Sequence, residues 1–144
     1  MLNSLMKRLN KEFHESLSNP VDGVDMFPEE SMMEWTAIIQ GEDIYKGLDY
    51  KLNIKIPVNY PFQPPMVKFI NFCYHPNVNA EGLICLDILN EKWSPAYSLQ
   101  SMLLSIQSLL SDPNCSSPLN GEASKLWNSP QYEENLKKTY EPLE

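Results

Sequence analysis

Apolar residues recur at helical spacing from the start of the chain. Leu2, Leu5, Met6, Leu9, Phe13 and Leu17 fall close to a 3.6-residue period, with Lys7, Arg8 and Lys11 off that stripe. The spacing predicts an amphipathic helix over residues 1–17, ended by Asn19-Pro20. The period then drops to two. Tyr50, Leu52, Ile54 and Ile56 alternate with Lys51, Asn53 and Lys55, the pattern of a strand buried on one face. Residues 21–27 (broken by Asp22-Gly23), 33–40 (Trp35, Ala37 and Ile39 on one face) and 66–70 read as three further strands. Short turns join most of them, including one over residues 41–47, and predict an antiparallel meander. Before the last strand, Tyr60-Pro61-Phe62-Gln63-Pro64-Pro65 excludes helix and predicts a stiff extended loop.

Residues 71–97 show no long periodic element, and a loop of that length inside a small domain is usually functional. Helical spacing returns at Leu99, Met102, Leu103, Ile106, Leu109 and Leu110, behind Ser98 as N-cap and ahead of a stop at Asp112-Pro113-Asn114. This is the expected core helix. A short helix over 121–127 follows. Ser129-Pro130 then opens a last helix carrying Tyr132, Leu136 and Tyr140. Together these elements predict one α+β domain over residues 1–144, with helices covering one face of a four-stranded antiparallel sheet. The irregular segment is expected over the edge between sheet and core helix, because inside the core its backbone groups would lack partners.

Composition narrows the function classes. A net charge of -8 argues against a nucleic-acid surface. The first eleven residues lack the apolar run of a secretory signal, and no apolar stretch is long enough to span a bilayer. Three cysteines without such a signal read as reduced thiols in the cytosol or nucleus. Cys73-x-His75 is half of a metal site, but no second pair stands at finger spacing, so no metal is expected.

Three thiols compete for the role of nucleophile: Cys73, Cys85 and Cys115. A free cysteine is more often a small buried hydrophobe than a catalyst. Cys85 stands out because it lies in the irregular segment, within Gly82-Leu83-Ile84-Cys85-Leu86-Asp87-Ile88-Leu89, whose apolar residues can anchor a loop on the core. His75 offers a base for a Cys/His hydrolase. Its spacing does not fit the papain-like order, and the competing reading is that it binds backbone and pins a turn.

The combination of His75-Pro76-Asn77, Cys85 eight residues after Asn77, and Trp93-Ser94-Pro95 resembles the active-site signature of ubiquitin-conjugating enzymes. Tyr60-Pro61-Phe62-x-Pro64-Pro65 upstream and Leu109-Leu110-x-Asp112-Pro113-Asn114 downstream are similar to the same family, so the resemblance covers nearly the whole chain. It implies the ubiquitin-conjugating fold and an acyl transfer without cofactor. Cys85 would take ubiquitin from an activating enzyme as a thioester. Asn77 would order the loop and donate to the oxyanion formed as a lysine attacks. Asp87 and the 114–119 loop, with Ser117, would border the lysine groove. Pro61, Phe62, Pro95 and Ala96 would touch a ligase. Lys7, Arg8 and Lys11, which read alone are a solvated face, would help bind the activating enzyme. The implied protein is a monomer acting with ubiquitin, an activating enzyme and a ligase.

Ser117 departs from the aspartate frequent at the groove, so Asp87 carries more of that expected role. The shortened turn at 41–45 and Gly47-Leu48 also depart, remote from Cys85. Leu48-Asp49-Tyr50-Lys51-Leu52, Cys73-Tyr74-His75-Pro76-Asn77-Val78, the 104–110 run and Ser117-Pro118-Leu119-Asn120 are similar to the conjugating enzymes of the anaphase-promoting complex, which implies that ligase and a role in the cell cycle. The alternatives are an inactive scaffold of the same fold and an enzyme for a ubiquitin-like modifier. Inactive variants lack the cysteine, so Cys85 tells against the first.

Overall fold

The computed structural model describes residues 2–144. Met1, which the expected first helix included, lies outside the described residues. Helix α1 spans Leu2–Ser18. Four strands follow: β1 Val24–Pro28, β2 Glu34–Gln40, β3 Asp49–Lys55 and β4 Met66–Phe69. They pair in sequence order as one antiparallel sheet, the expected meander. Helices α2 Leu99–Ser111, α3 Gly121–Leu126 and α4 Pro130–Thr139 close the chain.

Alternation decides which face is buried. Met26, Ala37, Leu52 and Phe69 stand in one row across the four strands, all in the core. The neighbouring row, Asp25, Ile38 and Lys51, faces the other side. Helix α2 lays Leu99, Met102, Leu103, Ile106 and Leu110 against the inner face. Ser98 caps it: its hydroxyl accepts from Ser101 N, while Ser101 Oγ accepts from Ser98 N in return. Ser129 caps α4 as expected, and Asn120 caps α3.

Several expectations change. The apolar stripe of α1 is only partly inside: Leu5 and Leu9 are buried, Leu2 and Leu17 are exposed, and Glu12 is buried with the stripe. Strand β1 begins after the Asp22-Gly23 break, at Val24. The proline loop is turned rather than extended, with Tyr60 N donating to Pro57 O at 3.0 Å and Phe62 N to Asn59 O at 2.9 Å. The turn over 41–47 holds a short 3-10 helix, Asp43–Tyr45, that drives Tyr45 completely inside.

The largest correction concerns the irregular segment. Residues 73–78 are buried rather than laid over an edge. They are tolerated there because side chains and other loops meet their backbone: the Tyr45 hydroxyl donates to Tyr74 O at 2.5 Å, and the Tyr132 hydroxyl lies 2.5 Å from Tyr45 Oη and 3.1 Å from Tyr74 O. Beyond them the chain turns back on itself through a bridge at Val78–Ile84 and meets β4 through a bridge at Lys68–Leu83. Gly82 makes this return possible. Its φ is +88°, and a Cβ there would stand 2.2 Å from Phe69 O, a backbone atom that cannot move aside cheaply. Gly82→Ala is expected to destabilise the protein by more than about 1 kcal/mol in urea unfolding, since the native conformation does not admit the new residue.

Candidate active site

Cys85 follows the bridge at Ile84 and precedes the 3-10 turn Asp87–Leu89. Its backbone N–H donates to Asn77 O at 2.8 Å, and the residue is half-buried. Of the apolar residues expected to anchor the loop, Ile84, Leu86, Ile88 and Leu89 pack against the core, whereas Leu83 is exposed. The thiol therefore sits on a loop held from both sides rather than on a helix or strand.

The hold comes from His75 and Asn77. His75 Nδ1 accepts from Asn77 N at 3.0 Å, so its Nε2 carries the proton and donates to Leu109 O at 2.7 Å. Burial pushes the His75 pKa down to about 4, more than its backbone hydrogen bonds raise it. The ring is neutral near neutral pH and both nitrogens are occupied, which matches the turn-pinning reading and leaves no lone pair for Cys85. The same occupancy removes His75 as a metal ligand. Among the described residues no group of three or more His, Cys, Asp or Glu could hold a metal ion.

Asn77 is fully buried. Its Nδ2 donates to Asn114 O at 2.7 Å and its Oδ1 accepts from Asn114 N at 2.8 Å. The carboxamide thus braces the 112–120 loop, which is also tied by Leu119 N and Asn120 N to Pro76 O at 2.8 and 3.0 Å. Cys85, Asn77 and the 114–119 loop form one hydrogen-bonded unit. Asn77 is the expected oxyanion donor; its Nδ2 gives one of its two hydrogens to Asn114 O. Ser117 lies exposed on the braced loop, and Asp87 lies exposed two residues beyond Cys85.

Phe62 is 75% exposed, an aromatic ring held out from the sheet. Pro95 and Ala96 are exposed as well. Trp93 joins the two loops. Its Nε1 donates to Pro61 O at 2.7 Å, and its ring lies 5.9 Å from Tyr60 and 5.7 Å from Tyr97, centroid to centroid. Lys7 and Lys11 stand exposed on α1, Lys11 within 3.9 Å of Glu15. Arg8 departs from the expected cationic face: it turns inward and donates to Pro95 O and Tyr97 O at 3.0 and 2.7 Å. The sequence pattern missed Glu12, Trp93 and Tyr60 as organisers of this face. A glutamate four residues after an arginine on a helix is the one local signal that was available.

The other two thiols differ in placement. Cys73 is buried and burial pushes its thiol pKa up well above the ordinary value, the setting of an inert cysteine. Cys115 is exposed beside Asn114.

Comparison with known proteins places this arrangement. The family model described as "Ubiquitin-conjugating enzyme" matches residues 8–140. A ubiquitin-conjugating enzyme E2-20 kDa of Schizosaccharomyces pombe is 39% identical over 98% of this chain and 84% of its own length. The crystal structure of the H. polymorpha ubiquitin-conjugating enzyme Pex4p, solved with the soluble domain of Pex22p, superposes with a TM-score of 0.89 at 33% identity, over 97% of this chain and all of that one. The likeness runs over nearly the full length in both sequence and fold, and the chain belongs to the ubiquitin-conjugating enzyme family.

Proposed function

We propose that Cys85 carries ubiquitin as a thioester and passes it to a lysine. The observation that carries this reading is a half-buried thiol on a braced loop, with the nearby histidine fully committed to backbone. In the first step the Cys85 thiolate attacks the carbonyl of ubiquitin's thioester on the activating enzyme. The new C–S bond forms at Cys85 and the old one breaks, releasing the activating enzyme's thiolate. In the second step a lysine amine attacks the same carbonyl, loses its proton, and expels the Cys85 thiolate to leave an isopeptide bond. Asp87 and Ser117, both exposed around the loop, position that amine, and Asp87 is the one that can do so by charge. A neutral histidine without a free lone pair does not activate water, so the thioester persists until an amine arrives.

Phe62 and Pro61, with Pro95 and Ala96 across the Trp93 bridge, receive the ligase, and Lys7 and Lys11 meet the activating enzyme. The stretches shared with the anaphase-promoting-complex subgroup favour that ligase and a cell-cycle role. The protein works as a monomer, and its three free thiols support a reducing compartment, the cytosol or nucleus. Charging with ubiquitin and with ubiquitin-like modifiers, side by side, tests the cargo.

Incubation with activating enzyme, ATP and ubiquitin should give a thiol-sensitive gel shift that Cys85→Ala abolishes. Cys85→Ser should form a slower, reductant-resistant oxyester, while Cys73→Ser and Cys115→Ser still charge. Loading of Cys85→Ala would end the assignment. Phe62→Ala should keep its melting temperature and its charging but lose ligase-stimulated discharge, a central aromatic contact being worth about 2 kcal/mol or more. A large fall in Tm would instead make Phe62 a core residue. Asn77→Ala should charge, then discharge to free lysine more slowly. Its stability should drop by about 2 kcal/mol, because the Asn114 backbone loses both partners. Normal discharge beside a lowered Tm would confine Asn77 to folding.

A further inference from the structure

The two loops assigned to the ligase converge on a single buried carboxylate that belongs to neither. The Glu12 side chain is 4% exposed. Its Oε2 accepts from Tyr60 Oη at 2.6 Å and from Arg8 Nε at 2.8 Å, and its Oε1 accepts from Leu99 N at 2.6 Å. Each donor leads to a different part of the platform. Tyr60 is the residue before Pro61-Phe62. Arg8 continues through Nη2 to the carbonyls of Pro95 and Tyr97, with its guanidinium 5.6 Å from the Tyr60 ring centroid. Leu99 is the first residue of α2, whose opening N–H groups have no partner within the helix.

The geometry is demanding in a way that packing alone is not. Arg8 uses Nε toward Glu12 and Nη2 toward two carbonyls, so a planar fork spans α1 and the 95–97 segment. A lysine there offers a point charge at one place and cannot hold both ends. A glutamine at 12 keeps the shape but presents an amide to three donors, so at least one donor loses its acceptor.

We infer that Arg8 and Glu12 are positioning residues for ligase recognition: they fix the spacing between Phe62 on one loop and Pro95-Ala96 on the other, without touching the ligase themselves. This rests on the reading that those loops receive a ligase. It gives the Arg-x-x-x-Glu pair of α1 a role different from a free cationic face.

The test uses thioester formed in advance, so that the charging step does not enter. Arg8→Lys, Glu12→Gln and Phe62→Ala are compared with the parent protein in single-turnover discharge to lysine against a titrated ligase domain. Trp93 is labelled as 5-fluorotryptophan and followed by fluorine NMR, and a thermal melt is run for each. Arg8→Lys should raise the ligase concentration for half-maximal discharge about tenfold, within the usual range of coupling between sites, and leave the plateau within about twofold. The Trp93 resonance should shift or broaden in Arg8→Lys and Glu12→Gln at temperatures where both are folded. If Glu12→Gln does not fold, Arg8→Lys decides alone. An unchanged half-maximal concentration in Arg8→Lys, with Phe62→Ala impaired, overturns the positioning role and leaves the ligase site standing. An unimpaired Phe62→Ala overturns the ligase reading and the inference with it. A fall in the plateau with unchanged half-saturation would move both residues to the chemistry at Cys85 and also overturn it.

Discussion

A buried backbone polar group without a partner costs about 1–3 kcal/mol, and residues 73–78 bury several outside any helix or sheet ladder. The site exists because each finds a partner from a different element. The Tyr45–Tyr132 hydroxyl pair supplies the donor to Tyr74 O, the 119–120 backbone supplies donors to Pro76 O, and Cys85 supplies one to Asn77 O. Burial raises the pKa of both tyrosines, so their phenols stay protonated and remain donors. The reactive loop is located by this satisfaction of polar groups as much as by apolar packing. That is why Cys85 can be held without being part of a regular element.

The same network limits the chemistry. A histidine beside a thiol suggests hydrolysis, but His75 is neutral, buried and bonded at both nitrogens. Its work is to join the start of the reactive segment to α2. Asn77 works likewise toward the 114 loop. The side chains in this segment that look most like catalysts by type are thus the ones most engaged in structure, whereas Asp87 and Ser117 are exposed. That division suits the acyl-carrier role proposed for Cys85, since the loop is braced while His75 is committed to backbone.

What was legible in the sequence was periodic. The alternation from Tyr50 to Ile56 and the stripe from Leu99 to Leu110 each report which face of one element is apolar, and both faces are where the pattern put them. The caps at Ser98 and Ser129 are equally local. Exposure of Phe62 was readable because flanking prolines keep it out of the sheet. The failures share one cause. Burial of Glu12, the inward turn of Arg8 and the interior path of residues 73–78 depend on partners as far as 29 to 89 positions away in sequence. No window of ten or fifteen residues contains that information, so a polar residue on an apolar stripe reads as an exposed edge when it is a buried junction.

Helix α2 joins the two networks, and its termini explain why they sit where they do. At its start, Leu99 N has no partner within the helix, and the Glu12 carboxylate takes it. Near its end, Leu109 O would ordinarily accept from the residue four positions on. That residue is Pro113, which has no N–H. The freed carbonyl is taken by His75 Nε2 at 2.7 Å, shared with a longer bond from Asp112 N at 3.2 Å. Asp112-Pro113 therefore does more than stop a helix: it opens the acceptor that His75-Pro76-Asn77 requires. A favourable charge meets the first end and a ring donor the second, in the sense the helix dipole prefers. Ten positions along the helix, from Leu99 to Leu109, separate the two junctions by about 15 Å. The 60–62 and 95–97 loops are thus tied through Glu12 to one end of α2, and the His75-Pro76-Asn77 turn that braces Cys85 is tied to the other.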